Sequence, residues 1–145
     1  MSEGLIEINA TWKGDMTFVG QNKAGGTVQM GTLAGKPGVG PMQLLLTAIA
    51  GCTGEDIVSI LLKKHLKLTD VQVRVSGKRA DDYPMIWTHI HLTYLIWGED
   101  IKPKDLEQAI ELSENKYCSV GIMLGKSAKI TSEYRILTPG ENPEI

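Results

Sequence analysis

Two cysteines are the side chains of this sequence with the most reactive chemistry. Cys52 and Cys118 lie far apart, in a spacing that fits neither a close-spaced zinc knuckle nor the dense disulfide framework of a small secreted domain. Such a pair is either two buried thiols or a redox couple, in which one thiolate reduces a peroxide to become a sulfenic acid and the other thiol condenses with it to a disulfide. The residue types alone favour burial and leave the redox couple open.

Two histidines form a second candidate site. His89 and His91 alternate along a predicted strand, so both face the same side, and with Cys52 or Cys118 they could form a tetrahedral zinc site. A histidine pair on an ordinary strand is more often part of its polar face. We therefore expect no metal site and no bound cofactor.

Hydrophobic periodicity defines the elements that must position these side chains. Pro41 suits the first position of a helix, and the sequence from Met42 to His65 lacks proline, so a long helix carrying Cys52 is predicted there. The segment from Leu44 to Cys52 is apolar on nearly all sides. That pattern is typical of a helix that is covered all round, either at the centre of a fold or across a subunit interface.

The remaining elements are mostly strands, with a second helical region that carries the other cysteine. This helix begins at Pro103 and runs to Cys118, with a continuation allowed over 121–124. The predicted strands cover 5–12, 16–19 and 27–30 before the long helix, 71–75 and 85–97 after it, and 128–137 at the end. This order, βββ-α-ββ-α(α)-β, predicts an α+β fold with antiparallel sheets packed on the long helix.

Length and charge restrict the possible classes of protein. The 145 residues suffice for one hydrophobic core but not for two of normal size, so we expect a single domain over 1–145, with an ordered core over about 5–137 and a tail over 138–145. The 15 basic and 17 acidic side chains give a net charge of −2, without a basic stripe. Nucleic acid is therefore not an expected partner.

No stretch of the sequence predicts a membrane span or an export signal. The longest mainly apolar run, 44–52, is too short to cross a bilayer, and the N-terminus begins acidic, without the charged-then-apolar layout of a signal peptide. We expect a cytoplasmic protein without a membrane partner.

Two segments resemble a known family. The segment from Gly40 to Leu61, GPMQLLLTAIAGCTGEDIVSIL, closely resembles the central helix of the OsmC/Ohr family, named for osmotically inducible protein C and organic hydroperoxide resistance protein. The segment from Ala109 to Val120, AIELSENKYCSV, resembles that family's second cysteine motif. The two motifs occur in the right order, the resemblance covers about residues 5–137, and the cysteine motifs are most similar to the OsmC-like branch.

The resemblance implies a fold, an assembly and an activity. It implies an OsmC-like intertwined homodimer, with the long helices packed between the subunits and two active sites at the interface. It also implies a peroxidase of oxidative-stress defence, which reduces organic hydroperoxides. Cys52 matches the peroxidatic position and Cys118 the resolving one, so that a disulfide forms between them. The implied reductant is an external thiol, in some members a dihydrolipoyl group.

The sequence departs from the family pattern at two positions. Peroxidase members carry an arginine in the early strands that stabilises the thiolate, and a glutamate near the start of the central helix that holds this arginine. This chain has no arginine before Arg74, and it has Met42 and Gln43 where the glutamate is expected. A thiolate buried in an apolar helix without a cation is less readily formed and less reactive. The alternative function is a non-enzymatic dimer that binds a small molecule or senses redox state.

Five charged residues could support the reactive thiol. Lys13 and Lys23 lie in the early strand region and Lys126 follows the second cysteine, and each could supply the missing positive charge. Glu55 and Asp56 share a helix face with the first cysteine, where a carboxylate opposes thiolate formation unless it anchors a cation. Solvent exposure explains the two acids equally well.

Overall fold

The predicted order of strands and helices is confirmed. A computed structural model describes residues 4–143 and contains the elements in that order, with one additional short hairpin. The chain divides into two compact units, an N-terminal unit that ends at Leu45 and a C-terminal unit that begins at Leu46. The expectation of a single domain stays a prediction.

The N-terminal unit contains a three-stranded antiparallel sheet. Its strands are β1 (Ile8–Trp12), β2 (Phe18–Asn22) and β3 (Thr27–Met30), which pair in that order. Two short strands, β4 (Thr32–Leu33) and β5 (Lys36–Pro37), form a hairpin where the sequence predicts only a loop. Ala34 and Gly35 between them have φ angles of 52° and 76°, the left-handed conformation that tight hairpin turns need.

Helix α1 (Pro41–Lys63) has ends that the sequence specifies locally. At its start, the backbone N–H of Gly40 donates to Gln43 Oε1 at 2.9 Å, as in a capping box. At its end, His65 has a φ of 62°, and the next N–H donates to the carbonyl five residues earlier, which is the Schellman arrangement. The predicted helix is thus confirmed: it begins at Pro41 as expected and ends two residues before His65, which belongs to its C-terminal cap.

One face of α1 is buried, and the rest of its surface is more open than predicted. Ile49, Thr53, Ile57 and Leu61 recur at every fourth residue and are at most 1% exposed. By length and composition alone, α1 could cross a membrane, with a mean hydropathy of 1.6 over an 18-residue window; the core helix of a soluble protein passes the same test. Only 22% of that window is buried, so a single chain does not provide the all-round cover predicted for this helix.

The C-terminal unit is built on a second three-stranded sheet. Its strands are β6 (Lys67–Arg79), β7 (Trp87–Glu99) and β8 (Lys129–Leu137), in that order across the sheet. The central β7 is the most buried, and Leu92, Tyr94, Leu95 and Ile96 on it are fully enclosed. β6 pairs antiparallel with β7 as predicted, whereas β8 runs parallel to β7. The helices between β7 and β8 make this possible, since parallel neighbours need a long crossover.

The crossover contains two helices separated by a wider turn. Helix α2 (Pro103–Leu112) leads into a π-helical turn (Ser113–Tyr117), and the N–H of Cys118 donates to the Ser113 carbonyl at 2.8 Å. Helix α3 (Ser119–Leu124) follows. The predicted continuous helix is therefore wrong at this point, because the π-helical turn ends the α-helical pattern and Cys118 lies in extended conformation before α3.

Candidate active site

Cys52 lies in the middle of α1. It is partly exposed, while Thr53 beside it is almost fully buried. The helix therefore places the first cysteine at the edge of the packed face, where its thiol lies between the core and the surface.

Cys118 is fully buried at the junction between the π-helical turn and α3. Its backbone N–H is held by the Ser113 carbonyl, and its Sγ accepts a hydrogen bond from the N–H of Gly121 at 3.2 Å. The sulfur thus caps the first turn of α3, as an oxygen of serine or aspartate does in other helices. Backbone and side chain are both anchored, so the thiol is held in a defined position.

The structure brings the two thiols together. Both are free, and the side chains of Cys52 and Cys118 are hydrogen-bonding partners. Burial raises the pKa of the Cys118 thiol, and the contact with Cys52 raises it further, against the opposing effect of the Gly121 N–H. Cys118 therefore keeps its proton at neutral pH, and the more exposed Cys52 is the better candidate for the nucleophile.

A second contact ties the two cysteine-bearing segments to each other. Ser113 Oγ donates to Asp56 Oδ2 at 2.9 Å, and Ser113 is fully buried. Asp56 lies one helical turn after Cys52, and Ser113 is the residue whose carbonyl holds the N–H of Cys118. The negative charge of Asp56 is a smaller cause of the raised pKa of the Cys118 thiol, after burial and Cys52.

A buried tyrosine adds a further polar contact beside Cys118. Tyr94 on β7 is fully enclosed, and its hydroxyl donates to Glu114 Oε2 at 2.7 Å. Burial raises the pKa of Tyr94, and the hydrogen bond to Glu114 raises it further, while a hydrogen bond with Thr53 acts in the opposite direction. The phenol is therefore a permanent donor that fixes the Glu114 carboxylate in the π-helical turn.

A cavity of about 530 Å³ lies beside Cys118, within the C-terminal unit. Its wall includes the apolar side chains of Ile49, Leu92, Ile122, Ala128 and Ile130. The polar part of the wall is formed by Thr53, Glu114, Asn115, Lys126 and Lys129. A site of this size, mostly apolar with a few charged groups, can hold a small organic molecule.

The five predicted supporting residues lie in different places. Lys126 lines the cavity that Cys118 also lines, whereas Glu55 is exposed on α1. Lys13 and Lys23 belong to the N-terminal unit, where Lys23 pairs with Glu7 at 3.0 Å. Asp56 is the predicted carboxylate that takes part in the site, where it binds a serine hydroxyl.

Four further residues complete the site, and sequence patterns identify only some of them. Ser113 and Glu114 lie within the second cysteine motif, so a search at helical and π-helical spacing from Cys118 would have found them. Lys129 follows Lys126 by three residues. Tyr94 lies in a long apolar strand, and no sequence signal distinguishes it from a core residue.

The two histidines lie elsewhere on the central strand β7, and one of them, His91, contacts side chains of β8. His91 Nδ1 is 2.7 Å from Thr131 Oγ1 and its Nε2 is 3.5 Å from Glu133, whereas His89 Nδ1 is 3.1 Å from Thr88 Oγ1. Within residues 4–143, no group of three or more His, Cys, Asp or Glu side chains is arranged to hold a metal ion.

The family assignment follows from comparison with known proteins. The sequence profile of the OsmC-like protein family matches residues 34–133, which is more than half of the chain. The chain belongs to the OsmC-like family. The resemblance seen in the two cysteine motifs is thereby confirmed, and the sheets and long helix are those of an OsmC-like fold.

Two relatives and one distant structure illustrate the range of this OsmC-like family. Protein YhfA of Escherichia coli K12 is 33% identical over 132 residues, which cover 91% of this chain and 98% of YhfA. The crystal structure of a hypothetical protein from Aquifex aeolicus VF5 is 34% identical, with a TM-score of 0.78, over 91% of this chain and 97% of that one. The organic hydroperoxide resistance protein OhrB of Bacillus subtilis has a TM-score of 0.61 at 14% identity, over 90% and 97% of the two chains, and shows the shared fold alone.

Proposed function

We propose that this OsmC-like protein is a thiol-dependent peroxidase that reduces organic hydroperoxides in oxidative-stress defence. The observation that carries the proposal is the contact between Cys52 and Cys118, two thiols that are distant in sequence. In this proposal Cys52 is the peroxidatic residue and Cys118 the resolving one. The different environments of the thiols support these roles, since Cys52 is partly exposed and Cys118 is buried and protonated.

The proposed reaction has three steps. The Cys52 thiolate attacks the terminal oxygen of the hydroperoxide, the O–O bond breaks, and the departing alkoxide takes a proton from solvent to become an alcohol. Cys52 is then a sulfenic acid. The Cys118 sulfur attacks the oxidised sulfur, a disulfide forms, and the thiol proton and the sulfenic hydroxyl leave as water. Two equivalents of an external thiol, or one dithiol, reduce the disulfide and are themselves oxidised.

The cavity beside Cys118 supports an organic substrate. Its apolar wall favours a hydroperoxide with a hydrocarbon group over hydrogen peroxide, because burial of apolar surface adds binding free energy that a small polar molecule cannot gain. The proposed reductant is a thiol of the dihydrolipoyl type.

The positive charge that a peroxidatic thiolate needs is proposed to come from Lys126. Lys126 and Lys129 both line the cavity beside Cys118. A lysine supplies a point charge in place of the planar arginine fork found in the family's peroxidases. Lys13 and Lys23 stay candidates from the N-terminal unit, although Lys23 is already paired with Glu7.

The proposed assembly is a homodimer in the cytoplasm. Only 22% of the most apolar window of α1 is buried by its own chain, Leu45 and Leu62 are exposed, and a second copy of the helix would cover these residues. A dimer of this kind would also explain why the first half of α1 is apolar on nearly all sides.

A second candidate function is a non-enzymatic dimer that binds a small molecule or senses redox state. The acids near the buried thiol favour it: the negative charge of Asp56 helps to raise the pKa of Cys118, and Glu114 lines the same cavity as Cys118. The two functions differ in the rate at which Cys52 reacts with a hydroperoxide.

Stopped-flow mixing of the reduced protein with an alkyl hydroperoxide and with hydrogen peroxide tests the proposal. We expect both thiols to be lost rapidly, faster with the alkyl hydroperoxide, with one disulfide detected by mass spectrometry. Cys52→Ser should abolish the reaction, and Cys118→Ser should complete one turnover and leave a sulfenic acid that dimedone traps. Thiol loss at the rate of a free cysteine, equal in the wild type and in both variants, would reject the peroxidase and favour the binding or sensing protein.

A further inference from the structure

The segment that carries Cys118 is fixed by a continuous set of hydrogen bonds. The N–H of Ser113 donates to the carbonyls of Ala109 and Ile110 at the end of α2, and its own carbonyl accepts the N–H of Cys118 at 2.8 Å. Its hydroxyl donates to Asp56 at 2.9 Å. The two carbonyls of α2 and the Asp56 carboxylate thus hold Ser113, and Ser113 in turn holds Cys118.

The other end of this set lies on the helix that carries Cys52. Asp56 is four residues after Cys52, so the two side chains lie on the same face of α1, one turn apart. Three contacts form a closed ring: the hydrogen bond between Ser113 and Asp56, the hydrogen bond between Ser113 and Cys118, and the contact between the two cysteines. Within this ring, the Asp56–Ser113 bond is a side-chain contact that a single substitution removes without altering either thiol.

We propose that the hydrogen bond between Ser113 and Asp56 positions Cys118 for its attack on oxidised Cys52, which makes Ser113 and Asp56 positioning residues for disulfide formation. The inference rests on the proposed function for its biological meaning. In chemical terms, the bond raises the effective concentration of the Cys118 sulfur at Cys52, and a tethered group gains most of its advantage from such orientation.

The position of Cys118 should also affect how readily Cys52 is inactivated by excess peroxide. When the resolving thiol attacks the sulfenic acid rapidly, a disulfide forms. When this attack is slow, the sulfenic acid reacts with a second peroxide molecule to give a sulfinic acid. Loss of the Ser113–Asp56 bond should therefore increase over-oxidation of Cys52 at high peroxide concentration.

The test measures disulfide formation without any peroxide. Diamide, a two-electron oxidant of thiol pairs, should form the Cys52–Cys118 disulfide about tenfold more slowly in Ser113→Ala than in the wild type, since a hydrogen bond to a charged group of this kind is worth about that factor. In a dithiothreitol redox buffer, the disulfide of Ser113→Ala should be about tenfold easier to reduce, which corresponds to about 30 mV for a two-electron couple. Ser132→Ala, which removes an exposed hydroxyl on β8, is the matched control and should behave as the wild type.

Two Asp56 variants separate the hydrogen bond from the charge. Asp56→Asn keeps an acceptor oxygen and should stay within about threefold of the wild type, whereas Asp56→Ala should match Ser113→Ala. The double variant Ser113→Ala/Asp56→Ala should be no slower than the slower single variant, because both remove the same bond. If Ser113→Ala does not fold, Asp56→Ala tests the same bond from the other side.

The alkylation rate of Cys52 with iodoacetamide should change less than twofold in Ser113→Ala, because this variant keeps the Asp56 carboxylate and the lost bond acts on Cys118. Wild-type disulfide rates and equilibria in both Ser113→Ala and Asp56→Ala would overturn the inference, as would an equal fall in disulfide formation and in Cys52 alkylation. These measurements do not depend on peroxide turnover. Slow reaction of the wild-type protein with hydroperoxides would therefore reject the proposed function and leave the positioning role to be decided by diamide and dithiothreitol.

Discussion

The hydroxyl of Tyr94 donates a 2.7 Å hydrogen bond to the carboxylate of Glu114, so a fully buried phenol fixes an acid in the turn that leads to Cys118. Burial first and Glu114 second raise the pKa of this phenol above its ordinary value of 10. The contact joins the central strand β7 to the π-helical turn. Because the phenol ionises less readily in the folded protein, the free energy of unfolding should depend on pH in the alkaline range.

Replacement of Tyr94 by Phe should change the pH dependence of stability. In the wild type, the unfolded phenol ionises above pH 10 while the folded one does not, so the stabilisation present below pH 10 is lost as the pH rises, by about 1.4 kcal/mol per pH unit. Tyr94→Phe should be less stable at pH 8, by about 1–3 kcal/mol, because Glu114 loses its donor.

Urea unfolding between pH 8 and pH 11.5 measures this effect. The difference in free energy of unfolding between wild type and Tyr94→Phe should narrow above pH 10. Tyr134→Phe is the control, since Tyr134 hydrogen-bonds Glu107 at an exposed position and should contribute little. A constant difference across this pH range would contradict the burial argument.

The two thiols should differ in their reactivity toward an alkylating agent. Burial and the contact with Cys52 raise the pKa of Cys118, so at pH 8 it presents little thiolate, whereas Cys52 is partly exposed. We expect limiting iodoacetamide to label Cys52 at least tenfold faster than Cys118 in the folded protein. Peptide mapping by mass spectrometry gives the ratio, and labelling in urea, where the two should react alike, is the reference. Faster labelling of Cys118 would exchange the two proposed roles.

A methyl group added at Gly121 should disturb the Cys118 thiol more than it disturbs the fold. An alanine Cβ at this position would lie 3.2 Å from Cys118 Sγ and 3.6 Å from the side chain of Ile49. Gly121→Ala gains helix propensity, about 0.5–1 kcal/mol, but forces the sulfur to move by a few tenths of an ångström.

We expect Gly121→Ala to leave the melting temperature within a few degrees of the wild type and to change the rate of diamide-driven disulfide formation at least threefold. Gly54→Ala is the control, because its added Cβ would make an ordinary 3.5 Å contact with Val73. Disulfide formation at the wild-type rate in Gly121→Ala would show that the sulfur position is not tightly fixed.

Reversal of the charge at Lys126 should alter substrate preference. Lys126 and Lys129 line the cavity beside Cys118, so their charge should favour a hydroperoxide that carries a carboxylate. Lys126→Glu should slow the reaction with a carboxylated hydroperoxide by about three- to tenfold and have a smaller effect with cumene hydroperoxide, which is neutral.

The matched control is Lys104→Glu, which makes the same charge change at an exposed position on α2. The difference in rate between Lys126→Glu and the wild type should be smaller at high salt than at low salt, because ions screen the interaction between the lysine and the substrate carboxylate. No slowing with cumene hydroperoxide would contradict the proposal that Lys126 is the cation that activates Cys52, and equal slowing with both hydroperoxides would contradict a preference for the carboxylated one.

The sequence by itself determined the elements and their order. The limits of α1 could be predicted because its proline start, its glutamine cap and its last turn are encoded locally, within a few residues of each end. The alternation in β6 and β7 likewise identified their hairpin, and the two cysteine motifs carried the family resemblance that the match over residues 34–133 confirmed.

Only the tertiary structure decided how the site is assembled. The parallel direction of β8, the bond between Ser113 and Asp56 and the bond between Tyr94 and Glu114 all depend on groups that are distant in the chain. Local patterns report which face of an element is apolar, but they carry no information on which polar side chains meet. The contact between Cys52 and Cys118, the protonated state of the buried thiol and the role of Tyr94 therefore required three-dimensional packing, because burial and hydrogen bonding between separate elements set them.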